Sequence, residues 1–227
     1  MSSPSRPVDG SLILALDTGS PRVSLALGRD GVAQVEKSFE QSSSSQQLLA
    51  GVASALSEVG AAPSDLGGIL ALAGPGSFTG LRVGLATAFG LHQALGVPGL
   101  ALSTFEALAE TAAGDRVAAA VDALRGQWWV QVFERAESRL RLEAKPELVE
   151  RSGLLGLAPV EAVGFGLRQA LADFELSPGF ELREPPPLAA AALAVAARFQ
   201  GPWEASLFTQ PLYLRPPAVT VSPRRGG

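Results

Sequence analysis

The chain of 227 residues contains no cysteine and a single histidine, His92. Without cysteine there is no disulfide framework, no thiol nucleophile and no thiolate metal site, and one histidine cannot build an ordinary zinc site. The most apolar windows are interrupted by Gly, Pro or charged residues before they reach the ~18 residues that a membrane span needs. A net charge of −4 gives no electrostatic reason to expect direct binding of nucleic acid. We therefore expect a cytoplasmic protein without a metal site.

The periodic apolar segments predict an α/β protein. Apolar residues make up 47% of the chain, enough to build a large core. The first half reads β-β-β-α-β-α-β-α, and the second half repeats that layout with shorter segments. We therefore predict two similar βββαβα lobes around a cleft. Strands are predicted at 12–16, 23–27, 32–39, 69–73, 99–102, 117–121, 128–133, 139–144 and 162–165, and helices at 46–59, 78–95, 104–111, 148–157, 167–174 and 189–199.

Composition divides the chain into four parts. Residues 1–10 are rich in Ser and Pro, lack the apolar core of a signal peptide and are predicted to be a disordered extension. The first lobe is predicted at 11–105 and a smaller second lobe at 106–215. An alternative left open is that the final helix of the second lobe packs back on the first lobe. Residues 216–227 are predicted to be a disordered tail.

A turn follows the first strand of each predicted lobe, where the cleft would lie. In the first turn, the hydroxyl and backbone N–H groups around Asp17 and Thr18 suit a phosphate or Mg²⁺, although an Asx turn explains the same residues and is favoured. Asp122 holds the equivalent position in the second lobe, but the Ala, Leu and Arg that follow it are less suited to phosphate than Gly, Ser or Thr. These three residues are the candidates for a vestigial nucleotide site.

A glycine-rich block at 74–84 lies between a predicted strand and a predicted helix. It fails the dinucleotide fingerprint in glycine spacing and lacks the acidic residue at the end of the next strand; the lysine of a P-loop is also missing. Gly80, Gly84 and Ala88 recur every fourth residue and give one helix face that another element can approach closely. The spacing therefore favours close packing over anion binding, and leaves open whether the packed partner belongs to this chain or to another subunit.

Five segments share a pattern with one known family: Ile13–Thr18, Gly74–Gly84, Ser103–Thr104, Val121–Ala123 and Pro211–Arg215. Together they resemble the bacterial TsaB (YeaZ) family. The resemblance covers about 11–215 and implies the actin-like ATPase fold, with two ribonuclease-H-like lobes. It also implies a role in making N6-threonylcarbamoyladenosine at the tRNA adenosine next to the anticodon. Family members are generally non-catalytic paralogues of the transferase TsaD, which they bind, and the ATPase TsaE joins the complex.

For this chain the resemblance implies no catalytic residue, no metal and no required cofactor, with ATP bound by the partners. It implies a homodimer when the chain is alone, and tRNA contacted mainly through the complex. The family's contact surface is the helix pair 46–59 and 78–95. The candidate interface residues on these helices are Leu48, Leu49, Val52, Leu56, Gly80, Gly84 and Ala88.

Two other functions remain as alternatives at this point. An active ATP-hydrolysing or sugar-kinase-like enzyme of the same fold should carry a Gly/Thr-rich turn after Asp122, where this chain has Ala, Leu and Arg. A metallopeptidase needs a set of metal ligands that the sequence does not supply.

Overall fold

A computed structural model describes residues 6–40, 45–137, 139–158 and 160–214. The first half contains, in chain order, β1 (Leu12–Asp17), β2 (Arg22–Arg29), β3 (Val32–Glu40), α1 (Ser45–Glu58), β4 (Leu66–Leu72), α2 (Phe78–Leu95), β5 (Gly99–Leu102) and α3 (Thr104–Glu110). The second half contains β6 (Arg116–Asp122), β7 (Gln127–Ala136), β8 (Arg139–Leu142), β9 (Glu147–Glu150), α4 (Arg151–Leu154), β10 (Val160–Val163), α5 (Leu167–Ala170), β11 (Phe180–Arg183) and α6 (Ala189–Arg198). Short 3-10 turns lie at Pro63–Asp65, Leu155–Leu157 and Ala205–Thr209.

The two sheets share one topology. The first has the strand order β3-β2-β1-β4-β5, and the second has β8-β7-β6-β10-β11. In the first sheet β2 pairs antiparallel with β1 and β3, while β4 runs parallel to β1 and β5 runs parallel to β4. In the second sheet β7 pairs antiparallel with β6 and β8, while β10 runs parallel to β6 and β11 runs parallel to β10. The repeated order confirms the predicted α/β class with two ribonuclease-H-like units, the arrangement of the actin-like ATPase fold.

The outer edge of the second sheet corrects the prediction of one helix at 148–157. That stretch instead holds most of β9, then α4 and the turn Leu155–Leu157. Strands β8 and β9 both pair antiparallel with β7, along different stretches of it, and together they occupy the place that β3 has in the first sheet. The chain between them contains Pro146, which cannot donate to a ladder. Strand β11 was not predicted, and the strand predicted at 162–165 lies at Val160–Val163.

Helices are exchanged between the two halves of the molecule. Alternate residues of β1 point to opposite faces: Leu14 packs under α1 and α2, whereas Ala15 faces the space between the sheets. Helix α3 leaves the first half to pack on β6, and α6 leaves the second half to pack on β1, β2 and β3. The start of α6 is held there by a hydrogen bond of 3.2 Å from the Ala189 N–H to Ser24 Oγ. The central core between the sheets therefore draws on both halves of the chain.

These contacts correct the predicted boundaries. The division between 105 and 106 falls inside α3, so the connection between the halves lies after Glu110. Residues 6–10, predicted to be disordered, contact the body of the protein: the Arg6 guanidinium donates to Ala197 O (2.9 Å), and the Gly10 N–H donates to Asp30 Oδ1 (2.8 Å). The remainder of the predicted extension, 1–5, and the predicted tail at 216–227 lie outside the described residues. Among the helices that the structure describes, none is long and apolar enough to cross a membrane.

Candidate functional site at the start of helix α2

The turn after β1 packs directly against the glycine-rich start of α2. The Thr18 hydroxyl donates to Gly80 O (2.7 Å), and the Ser77 N–H donates to Gly19 O (2.8 Å). A Cβ atom at Gly84 would overlap the Thr18 side chain, and one at Gly80 would overlap the Thr18 carbonyl group. The close packing predicted for this helix face therefore occurs within the chain, and its partner is a turn rather than a second helix.

This packing corrects the predicted interface residues. Within the first lobe, Leu48, Val52 and Leu56 are buried between α1 and the sheet, and Gly84 and Ala88 are buried on the inner side of α2. Gly80 faces the Thr18 carbonyl, so it too points into its own lobe. Of the seven predicted residues only Leu49 presents a substantial apolar side chain to solvent, with 48% of its surface exposed.

The exposed side of the helix pair carries other residues. Phe89 on α2 is 37% exposed, and several of the exposed positions near it and near Leu49 are small. Helical periodicity had indicated which residues share a face, but it did not indicate which face lies against the sheet. The exposed small residues include Ala50 and Ala53 on α1, and Ala86 and Gly90 on α2.

Asp17 is fully buried at the end of β1. Its Oδ1 accepts from the backbone N–H groups of Gly19 (3.1 Å) and Ser20 (3.2 Å), which is the geometry of an Asx turn. Burial raises the pKa of Asp17 to about 6, against the opposing effect of the Gly19 and Ser20 backbone donors. The Ser20 hydroxyl falls short of hydrogen-bond geometry, and Asp17 Oδ2 is buried without a partner among the described residues. The Asp17 carboxyl group therefore holds the turn in the shape that places Thr18 against α2.

Asp122 holds the matching position at the end of β6 but is exposed. Its Oδ1 accepts from the Leu124 N–H at 2.7 Å. Leu124 and Arg125 both adopt positive φ angles, 66° and 58°, a backbone region that side chains other than those of Gly, Asn and Asp rarely occupy. The turn in the second lobe thus has an exposed leucine and an arginine at the positions of Gly19 and Ser20 in the first lobe, and Ala123 at the position of Thr18.

A third cluster joins the start of α2 to the end of the described chain. The Leu212 N–H donates to Ala73 O (2.7 Å), which places Tyr213 beside α2. The Tyr213 and Phe78 ring centroids are 4.9 Å apart, and the Arg82 guanidinium lies 3.8 Å above the Phe78 ring. Arg82 Nε also donates to Tyr213 Oη at 3.2 Å. We call Phe78, Arg82 and Tyr213 the Arg82 cluster; sequence reasoning noted its two segments separately and did not bring them together.

His92 contacts the chain just beyond the end of α2. Its Nδ1 lies 2.6 Å from the Val97 carbonyl oxygen, just beyond the left-handed Gly96 that ends the helix. Among the residues that the structure describes, no three His, Cys, Asp or Glu side chains are grouped so that they could hold a metal ion.

Comparison with known proteins identifies the family. A family model described as TsaD, tRNA N6-adenosine threonylcarbamoyltransferase, matches residues 39–185. The tRNA threonylcarbamoyladenosine biosynthesis protein TsaB of Escherichia coli is 33% identical over 219 residues, which cover 89% of this chain and 94% of the E. coli protein. The chain belongs to the TsaB family. The predicted family is thereby confirmed.

Other TsaB relatives agree with this assignment. Bacillus subtilis TsaB is 32% identical over 125 residues, although that alignment spans only 55% of the B. subtilis protein, about half of its length. A solved structure described as YeaZ from Pseudomonas aeruginosa superposes with a TM-score of 0.74 at 28% identity, covering 90% of this chain and all of the other. The likeness to this TsaB family member therefore extends over both sheets.

Proposed function

We propose that this chain is a non-catalytic subunit in the biosynthesis of N6-threonylcarbamoyladenosine in tRNA, where it binds and supports the transferase TsaD. Support comes from the E. coli protein named for this pathway, which aligns along 94% of its length. The match of a TsaD family model to 39–185 further supports a paralogous relationship between the two subunits.

The packing of Thr18 against Gly80 and Gly84 carries the non-catalytic part of the proposal. An enzyme that hydrolyses a nucleotide on this fold needs room for phosphate oxygens beside the turn after β1. Here the Thr18 hydroxyl is engaged by Gly80 O, and α2 fills the adjoining space. The opposing turn offers Leu124 and Arg125, both in left-handed conformation, in place of a Gly/Thr-rich phosphate turn. These features favour a supporting subunit over the ATP-hydrolysing or sugar-kinase-like alternative.

The exposed side of α1 and α2 is the surface that we assign to TsaD. Leu49 and Phe89 supply the apolar anchors, and the small residues around them permit another helix pair to approach. Because TsaD is a paralogue, a second copy of this chain would use the same face when TsaD is absent. In this proposal TsaE joins the pair, ATP is bound by the partners, and tRNA is reached mainly through the complex.

Reconstitution tests the proposal. Purified TsaD and TsaE, with a threonylcarbamoyl donor and tRNA, are expected to form the modified adenosine efficiently only when this chain is added. In parallel, calorimetry should detect no ATP binding at micromolar concentration by the isolated chain. Micromolar binding together with turnover by the isolated chain would contradict the supporting role and favour the enzyme.

A further inference from the structure

The turn between β6 and β7 is both strained and exposed. Leu124, Arg125 and Gly126 have φ angles of 66°, 58° and 79°, so three consecutive residues lie in the left-handed region. That region costs free energy for side chains other than those of Gly, Asn and Asp. A hairpin turn with two left-handed central residues favours Asn followed by Gly. Leucine and arginine are therefore unfavourable choices for these two positions.

The adjoining strands hold the turn in this conformation. The antiparallel pairing of β6 and β7 extends to Asp122 opposite Trp128, so the chain must reverse within residues 123–127. The Leu124 N–H donates to Asp122 Oδ1 at 2.7 Å, and the Gln127 N–H donates to Leu124 O at 3.1 Å. The backbone interactions thus impose the left-handed conformation, whatever side chains the turn carries.

The fold itself makes little use of the two strained side chains. Leu124 exposes 70% of its surface, although it is a large apolar residue. Arg125 is exposed, and its guanidinium has no hydrogen bond or ion pair with any other described residue. The matching turn of the first lobe is instead packed against α2 through Thr18 and Gly19. Strain that brings no packing within the chain indicates a role in contacts outside it.

A second arginine flanks the turn. Arg151 Nε lies 3.9 Å from the position that a Cβ atom on Gly126 would take, and its guanidinium faces the Phe174 ring at 5.9 Å. Among the described residues, no carboxylate lies within salt-bridge distance of Arg125 or Arg151. The turn therefore presents an apolar side chain together with two cationic groups that no carboxylate neutralises.

We propose that residues 123–126 form a docking turn for a second protein partner of the complex, separate from the TsaD surface on α1 and α2. This inference rests on the proposed function, which supplies the partner. The surface that fits the turn has an apolar pocket for Leu124 and a carboxylate that pairs with Arg125. An RNA phosphate fits less well, because Leu124 gains nothing from it and the nearby carboxylates of Asp122 and Glu150 repel it.

The test adds TsaE, the remaining protein of the proposed complex, to the preformed pair of this chain with TsaD. The main variant combines Leu124→Asn with Arg125→Gly, which suits the left-handed conformation and removes both side chains. The melting temperature of the isolated variant should rise by about 3–6 °C, because the strain is relieved. Calorimetry should show that TsaE binds the pair about tenfold more weakly or worse. Higher stability with weaker binding separates docking from folding, since damage to the fold would lower both.

Two single variants and a control refine the test. Leu124→Ala and Arg125→Ala remove the side chains but keep left-handed residues other than glycine, so each should weaken TsaE binding about threefold to tenfold without raising the melting temperature. The matched control is Glu137→Gly, in the turn between β7 and β8, where Glu137 is exposed with a φ angle of 50°. This control relieves strain of the same kind and should keep the wild-type affinity for TsaE.

The other outcomes each overturn the proposal. A double variant that binds TsaE as tightly as wild type, or one whose melting temperature does not rise, shows that the strained side chains serve no docking role. Loss of co-elution with TsaD assigns the turn to the TsaD contact, and weaker tRNA binding with unchanged TsaE binding assigns it to RNA. If the wild-type chain does not pair with TsaD, the proposed function itself fails. Wild-type assembly that the double variant leaves unchanged overturns the docking turn alone.

Discussion

The hydroxyl of Thr18 donates a hydrogen bond of 2.7 Å to the carbonyl oxygen of Gly80, 62 residues further along the chain. The contact requires glycine at the next turn of the helix, since a Cβ atom at Gly84 would overlap the Thr18 side chain. We expect Gly84→Ala to lower the free energy of unfolding by about 1–3 kcal/mol, because the overlap outweighs alanine's higher helix propensity. Thermal and urea unfolding measure the change.

Gly90 provides the matched control on the same helix. A Cβ atom added there meets nothing within 4 Å. Gly90→Ala should therefore stabilise the isolated chain by up to about 1 kcal/mol, since only the propensity difference remains. Equal effects of the two substitutions would show that the Thr18 contact does not govern stability.

The second prediction concerns Glu161, which joins three parts of the second lobe. Its carboxylate accepts from the N–H groups of Ala113 (2.9 Å) and Gly114 (2.6 Å) and pairs with Arg183. Desolvation raises the pKa of Glu161, but Arg183 and the two backbone donors outweigh it and hold the pKa below the ordinary value. Glu161→Gln should lower the free energy of unfolding at pH 7 by about 1–2 kcal/mol.

The pH dependence of this effect has a fixed sign. A carboxyl group with a lowered pKa stabilises the folded state fully above its ordinary value of 4.5, and this stabilisation is lost as the pH falls through the folded-state value. Urea titrations should therefore show the difference between wild type and Glu161→Gln at pH 7 and a smaller one near pH 3. A difference that is constant with pH would contradict the ionic role.

Asp17 should show the opposite dependence. Burial raises its pKa from 3.8 to about 6, so between these pH values the folded state retains a proton that the unfolded state has released. Wild type should lose stability as the pH rises from about 4 to 7, by roughly 1–3 kcal/mol from this group. Asp17→Asn keeps an acceptor for the Gly19 and Ser20 N–H groups and should remove this loss.

Urea unfolding of Asp17→Asn between pH 4 and 8 measures the effect. Asp122→Asn is the control, because Asp122 holds the matching position but is exposed. We expect this substitution to change the free energy of unfolding by less than about 0.5 kcal/mol. A carbon-13 titration of the Asp17 carboxyl group reports its pKa directly, and an ordinary value near 4 would contradict the buried state.

The fourth prediction tests the surface assigned to TsaD. Leu49→Glu and Phe89→Glu each place a charge at an exposed apolar position, so both variants should keep the melting temperature of wild type but fail to co-elute with TsaD. Leu142→Glu is the control: Leu142 is 64% exposed on β8, in the other sheet, and its substitution should leave the complex intact. Normal co-elution of both helix variants would place the interface elsewhere.

The sequence predicted those elements that local pattern determines. Strand β1 is the short continuous apolar run of a strand buried on both faces, and α2 begins at a Ser77 cap and ends at Gly96, as helix signals indicate. The four residues of β11 are too few to show a recognisable pattern. They form a strand because they pair with β10. A short strand of this kind depends on its neighbour rather than on its own composition.

The site was predicted less completely, for a related reason. The spacing of Gly80 and Gly84 indicated close packing, but only the fold shows that Thr18 is the partner. Arg82 and Tyr213 are 131 residues apart, so no local pattern connects them. Contacts between distant segments follow from the topology of the sheets. The sequence pattern therefore did not predict that the residues of the Arg82 cluster meet.

The exchange of α3 and α6 makes the two halves interdependent in folding. A fragment that ends after Glu110 would leave Ala15, Ala26 and Leu70 without the α6 residues that cover them. A fragment that starts at Arg116 would lack Phe105 and Leu108, which α3 supplies to the same core. The chain should consequently melt in one cooperative transition, and neither fragment should hold a native structure alone. We therefore expect the pair of similar lobes to behave as a single folding unit.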